Sequence, residues 1–232
     1  MTTQMKRSEI NRIIRESESF MRSFGYILPP FARWTPAEMQ ARKADLGNIT
    51  GSSLGWDITD FGLGDFETSG LFLFTTRNGR VEDLKRGRGM LYAEKAMIAR
   101  KQQLTPLHTH LLKAEDIINR GGGTLVIELF GDANGICDRD KGTTVASDGI
   151  LHTLPPGAKL RLAPGESVTL MPGDWHAFWA EDADVFVAEV STVNDDNTDN
   201  IFEDPNVSRF SGVEEDEAPL HLLVSDYASW LK

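Results

Sequence analysis

From Leu71 onward the chain alternates short apolar runs with clusters of Gly, Pro, Asn and Asp, and no helical stretch long enough for a regular βαβ crossover interrupts them. This spacing predicts a mainly β protein, a sandwich or barrel. The strand candidates are Leu71 to Thr76, Tyr92 to Arg100, Thr124 to Phe130, Lys159 to Leu162, Ser167 to Met171, Ala177 to Ala180 and Val185 to Ser191. Asn78-Gly79 after the first run predicts a tight hairpin, and Gly131 to Ile150 reads as a surface loop. The first 50 residues have a different period: Ile10, Ile13, Ile14, Phe20, Met21 and Phe24 share one helical face, with a stop at Gly25 and Pro29-Pro30. Thr35-Pro36-Ala37-Glu38 predicts the capped start of a second helix. The expected organisation is one structural domain, in which residues 1–70 form a helical extension with connecting loops and residues 71–232 form the barrel with a C-terminal segment wrapped on it.

Charge and cysteine content narrow the partners. The chain has 24 Lys and Arg against 35 Asp and Glu, a formal net charge of -11, which argues against nucleic acid and anionic membranes as partners. Cys137 stands alone, so neither an intrachain disulfide nor a cysteine-based zinc cluster is available. The N-terminal segment lacks the apolar stretch of a signal peptide, and no apolar run approaches the roughly 20 residues that span a bilayer, so a cytoplasmic location is expected.

Chemistry is concentrated among the five histidines, His108, His110, His152, His176 and His221. In an extended segment His108 and His110 point to the same side, because side chains alternate with period two. Glu115 follows them, Gly121-Gly122-Gly123 allows a sharp return into the next strand, and His176 comes after a second turn, Pro172-Gly173-Asp174. Three imidazoles and one carboxylate make a thiolate-free site suited to Mn2+, Fe2+, Co2+, Ni2+ or Zn2+, with positions open for a ligand. His152 and His221 lack such surroundings and are expected to be solvent-exposed or hydrogen-bonded.

The spacing His108-x-His110-x4-Glu115-x6-Gly122, with Gly165 and Gly173-x-x-His176 later, resembles the two-part metal motif of the cupin superfamily. The second part departs from that motif in one place: proline stands at 172 rather than two residues before Gly173, the position that Met171 occupies. Longer blocks resemble one family within it, the D-lyxose isomerases. These are LPPFARW at 28–34, GWDITDFG at 55–62, TPLHTHLLKAEDIINRGGGTLV at 105–126, GESVTLMPGDWHAFW at 165–179, EVSTVNDDNTDN at 189–200 and EEDEAPLHLL at 214–223. The resemblance implies a single jelly-roll β-barrel, a homodimer, and a metal-dependent, usually manganese, isomerase of free aldoses. Its substrates would be D-lyxose and D-xylulose, and often D-mannose and D-fructose.

Moving a carbonyl between C1 and C2 needs groups that carry protons beside the metal. Lys113, between His110 and Glu115, reads from its position as a solvated strand-edge lysine, while the resemblance favours a catalytic role in which it shuttles a proton or steadies an oxyanion. A second carboxylate is expected from the acidic run 214–217, with Glu215 preferred as general base over Glu214 and Glu217. Glu189 is a candidate to bind the sugar; it shares a strand face with Val185 and Val187, so an inward-facing carboxylate there requires a donor or a metal nearby. Asp195, Asp196 and Arg209 are candidates to bind sugar hydroxyls, and Trp175, Phe178 and Trp179 to form an apolar wall against the ring. An acidic protein fits a neutral sugar better than a sugar phosphate. Two other readings stay open: an iron dioxygenase built on the same ligand types, and a non-catalytic sugar-binding cupin.

Overall fold

The computed structural model describes residues 4–196, 198–208 and 212–231. The strands in chain order are β1 (Met5–Lys6), β2 (Gly55–Thr59), β3 (Leu71–Asn78), β4 (Tyr92–Ala99), β5 (Thr105–His110), β6 (Glu115–Gly122), β7 (Leu125–Asp132) and β8 (Cys137–Asp138), then β9 (Thr143–Ser147), β10 (Ile150–Leu154), β11 (Ala158–Leu162), β12 (Ser167–Leu170), β13 (Trp175–Ala180), β14 (Val185–Thr192), β15 (Asn200–Phe202) and β16 (Val213–Glu214). They form an eight-stranded sheet ordered β10-β9-β12-β6-β14-β4-β3-β2, a second sheet ordered β11-β7-β13-β5-β15 with β8 paired to β7, and a parallel pair of β1 with β16.

The strand alternation explains which side chains reach the interior. On β3, Leu71 and Leu73 face the second sheet; on β4, Met97 and Ala99 do; on β14, Val185 and Val187 do. The intervening Phe72, Phe74, Ala96, Ile98 and Phe186 face the other way, into a second apolar layer with Ile10, Ile13, Ile14 and Met21 of helix α1 (Arg7–Ser23). Each such large apolar side chain contributes about 1.5–3 kcal/mol by leaving water, so α1 is an integral layer of the fold. One end of α1 is tied to the C-terminal segment. The buried Arg7 donates from Nε and Nη2 to Glu215 at 2.9 and 2.6 Å and from Nη1 and Nη2 to Asp226 at 3.0 and 2.9 Å.

The helical expectations hold in outline. α1 buries Ile10, Ile13, Ile14 and Met21, while Phe24 lies past its end and is 40% exposed. Helix α2 (Pro36–Ala41) carries the Thr35–Glu38 capping box. Three expectations need correction. Residues 1–70 are not all helix and loop, since β2 extends the eight-stranded sheet by pairing with β3. Asn78-Gly79 is not a tight turn: β3 and β4 do pair antiparallel, but Asn78 is buried with its side chain bonded to the Ser52 and Asn194 backbones, and a short helix (Val81–Arg86) lies in the connection. The 131–150 stretch is partly sheet, because β9 pairs with β10 and meets β12 at Thr169.

Candidate metal centre and active site

β5 and β13 lie side by side with His108 opposite His176. The turn before β13 sets that register. Gly173, at φ +92° where side chains other than hydrogen are disfavoured, donates its N–H to the His110 carbonyl at 3.1 Å, and the Asp174 carboxylate accepts from Met171 N at 2.8 Å. Glu115 opens β6 on the opposite sheet. Further along β6, Gly122 at φ +104° lies so close to Asp184 that a Cβ would stand 2.1 Å from its carbonyl oxygen, which is why the return into β7 takes glycine.

These elements bring His108, His110, Glu115 and His176 together, with one ligand atom from each lying within 4.8 Å of the others. Nδ1 of His108 donates to the Pro106 carbonyl at 2.8 Å and Nδ1 of His176 to the Asp174 carbonyl at 3.0 Å, which leaves each Nε2 as an unprotonated lone pair. Nε2 of His110 and of His176 each lie 3.2 Å from Oε1 of Glu115, and these three buried atoms have no hydrogen-bond partner among the described residues. Buried polar atoms are almost always satisfied, so a convergent set of orphaned ligand atoms fits a divalent cation. The electrostatics agree. Burial and the neighbouring imidazoles of His176 and His110 hold His108 well below the usual histidine value, and burial followed by the Lys113 charge lowers His110. Burial alone would raise Glu115, yet Lys113 and His110 bring it well below the usual carboxylate range. Neutral imidazoles and an ionised carboxylate are the forms that ligate metal.

Beside the cluster, Nζ of Lys113 sits 2.7 Å from Oε2 of Glu115 and 3.1 Å from Oε1 of Glu189. Lys113 arrives from the turn between β5 and β6, not from a continued strand. Oε1 of Glu189 also faces Lys95 Nζ at 3.3 Å and accepts from Ser191 Oγ at 2.9 Å. Burial would lower the Lys113 ammonium, but the Glu115 and Glu189 carboxylates overcome this and hold it above its ordinary value. For Glu189 the same opposition leaves the carboxyl below its ordinary value, Lys113 and Lys95 outweighing burial. Lys95, absent from the sequence expectations, lies directly across the strand pair from Glu189 and donates to Asn194 Oδ1 at 2.7 Å. Its signal was present: Lys95 has the same parity on β4 as the inward Met97 and Ala99.

The cluster opens on a cavity of about 40 Å³. Its polar side is Lys95, Lys113, Glu189, Asp196 and Asn200; its apolar side includes Phe61, Leu73, Met97, Phe178 and Phe202. Asp196 also borders a neighbouring cavity of about 280 Å³ lined by Ser53, Asp57, Thr75, Asn194 and Asp195.

Other expected residues lie elsewhere. Glu215 does not reach the cavity; its carboxylate is held by Arg7 and is 47% exposed, because a charge buried at the start of α1 claims it. Trp175 is buried with its indole N–H donated to Asp132 Oδ1 at 3.0 Å, a packing role away from the cavity, whereas Phe178 lines it. Asp195 borders the neighbouring cavity and not the one beside the cluster, and accepts from Thr198 Oγ1 at 2.6 Å. Arg209 lies outside the described residues. His152 belongs to β10, and His221 stacks on Trp56 with ring centroids 6.0 Å apart, so neither joins the cluster.

A barrel of two curled sheets with three histidines and a glutamate at its interior defines a cupin-type protein, and comparison with known proteins refines this. The solved L-ribose isomerase of Acinetobacter sp. DL28 in complex with L-ribose superposes with a TM-score of 0.62 at 14% identity, covering 91% of this chain and 99% of that one. Ligand-free L-ribose isomerase of Cellulomonas parahominis gives 0.59 at 15% identity over 92% of this chain and 100% of its own. These likenesses establish the fold. A family model described as D-lyxose isomerase matches residues 5–227. The D-lyxose/D-mannose isomerase of Serratia proteamaculans is 45% identical over 230 residues, 98% of this chain and 100% of the relative. That of Escherichia coli O157:H7 is 43% identical, covering 96% and 98%. The chain belongs to the D-lyxose isomerase family.

Proposed function

We propose that this protein interconverts D-lyxose with D-xylulose and D-mannose with D-fructose. The observation that carries the reading is the Lys113–Glu189 pair set against a buried, ligand-ready cluster. A divalent ion on His108, His110, Glu115 and His176 would polarise the C1 and C2 oxygens and acidify the C–H between them. Glu189, ionised and accepting from Lys113 and Ser191 on Oε1, would use Oε2 to take the proton from C2, exchange it with solvent, and protonate C1. Lys113 keeps its charge and steadies the negative charge shared by O1 and O2 while the hydroxyl proton passes from O2 to O1. Glu189 thereby takes the part that the sequence assigned to Glu215.

Three imidazoles and one carboxylate suit a first-row divalent ion, and Mn2+ is our choice among them. A homodimer and a cytoplasmic location complete the proposal; no helix among the described residues is long and apolar enough to cross a membrane. A dioxygenase built on the same ligands would have no use for a lysine–carboxylate proton pair. Ketose formation from D-lyxose without oxygen supports the isomerase, and oxygen consumption without ketose would refute it.

A further inference from the structure

The segment between the last histidine of β5 and the first residue of β6 is a short turn, Leu111 to Ala114, with a proposed metal ligand at each end and Lys113 within it. Apolar packing does not hold its first half, for the Leu111 and Leu112 side chains are 52% and 63% exposed. A single buried carboxylate supplies what packing does not. Oδ1 of Asp199 accepts the backbone N–H of Leu111 at 3.0 Å and of Leu112 at 2.7 Å, and Oδ2 accepts that of Lys113 at 3.0 Å. Three consecutive amides thus converge on one anion, a concave arrangement in which each bond is charge-assisted.

Asp199 is itself fixed. Its N–H donates to the Asp195 carbonyl at 3.1 Å, and the next residue, Asn200, pairs with His110 in the β15–β5 register. The carboxylate is therefore locked to the same strand that carries the histidines. Rotation of the turn by even a small amount would carry Nζ of Lys113 out of its contacts with Glu115 and Glu189.

We propose that Asp199 is a positioning residue that aims Lys113 by clamping the backbone of its turn. The inference rests on the role given above to Lys113. Asp199 touches neither the ligand atoms nor the cavity; among the described residues it acts on the backbone alone. Asn at this position keeps the shape but turns an N–H2 toward one or more backbone N–H groups, so the clamp loses a bond and gains a repulsion.

The test joins amide hydrogen exchange to a double-mutant cycle. In the metal-free wild-type protein the amides of Leu111, Leu112 and Lys113 should exchange as slowly as those of β5; exchange at the rate of an open loop would overturn the proposal without any variant. In Asp199→Asn those three amides should exchange about tenfold or more faster while β5 and β6 keep their protection. Misplacement of a catalytic group by about 1 Å can cost about a hundredfold, so kcat per bound metal should fall by about tenfold or more with KM within about threefold. Adding Asp199→Asn to Lys113→Met should cause little further loss, because the clamp then has nothing to aim. Multiplied losses, or an unimpaired Asp199→Asn beside a crippled Lys113→Met, would overturn this inference alone. Full kcat in Lys113→Met would instead overturn the role of Lys113 and the inference with it.

Discussion

Glu189→Gln separates the proton carrier from its scaffolding. The substitution keeps shape, and the amide oxygen can still accept from Lys113, Lys95 and Ser191, which lie 3.1, 3.3 and 2.9 Å from Oε1. It removes one negative charge from a set in which buried Lys95 and Lys113 face buried Glu115 and Glu189 and half-buried Asp196. Breaking a buried ion pair costs about 3–5 kcal/mol. With the hydrogen bonds retained and two carboxylates remaining, the cost should be about 3 kcal/mol, which for a chain of this length lowers Tm by about 6–12 °C. Loss of the base itself should reduce kcat by about 10²–10⁴-fold, or about 2.7–5.5 kcal/mol in activation free energy. Initial rates of D-xylulose formation from D-lyxose, taken well below the variant Tm and normalised to bound metal, distinguish the two effects. Glu215→Gln is the companion: its carboxylate is half exposed and turned to Arg7, so stability should drop slightly and turnover stay within about twofold. A Glu189→Gln enzyme within tenfold of wild type, or a Glu215→Gln enzyme slower than it, would show the proton assignment to be wrong.

Stripping the metal should destabilise the fold. At about 100 times Kd a bound ion contributes about 2.7 kcal/mol, so calorimetry should show Tm falling by about 5–11 °C on chelation and recovering on readdition; no shift would argue against binding at the orphaned atoms. Arg7→Met leaves the Asp226 carboxylate, only 10% exposed, without its guanidinium. Denaturant titration should register a loss of about 3–5 kcal/mol, with kcat per folded enzyme unchanged. Burial lowers His221 below the ordinary histidine value of 6.5. The unfolded chain therefore binds that proton more readily, and the stabilisation is complete above pH 6.5 and lost as pH falls through that value toward the lower folded one. His221→Phe, which keeps the stack on Trp56, should flatten the decline in Tm between about pH 7.5 and 5.5 relative to wild type in metal-free protein; an identical slope would contradict this.

Local periodicity made much of the site legible. His108 and His110 share a face because strands alternate, Glu189 follows the inward parity of Val185 and Val187, and the Thr35–Glu38 box marks its helix. What stayed hidden depends on residues far apart in sequence. Whether an acidic run turns toward the cavity or toward α1 is decided by Arg7, 208 residues from Glu215, and no local pattern reports that distance. Asp199 is an ordinary polar-loop aspartate until β15 pairs with β5 and brings it under three amides. Asn78-Gly79 carried a real turn signal and β3 does pair with β4, but Asn78 is bonded to Asn194, 116 residues away, and the connection is longer than a two-residue turn. Lys95 is the opposite case, since its inward parity with Met97 and Ala99 is local, although lysine is a residue type rarely buried.

The central claim is metal-dependent proton transfer between the first two carbons of a free sugar. Its most direct test is to incubate the manganese-loaded protein with D-lyxose in deuterium oxide under anaerobic conditions and follow the product by proton NMR. The account predicts D-xylulose carrying solvent deuterium at C1, formed only while metal is present and abolished by chelation. Ketose formed equally well after chelation, ketose free of label, or no ketose at all would contradict it.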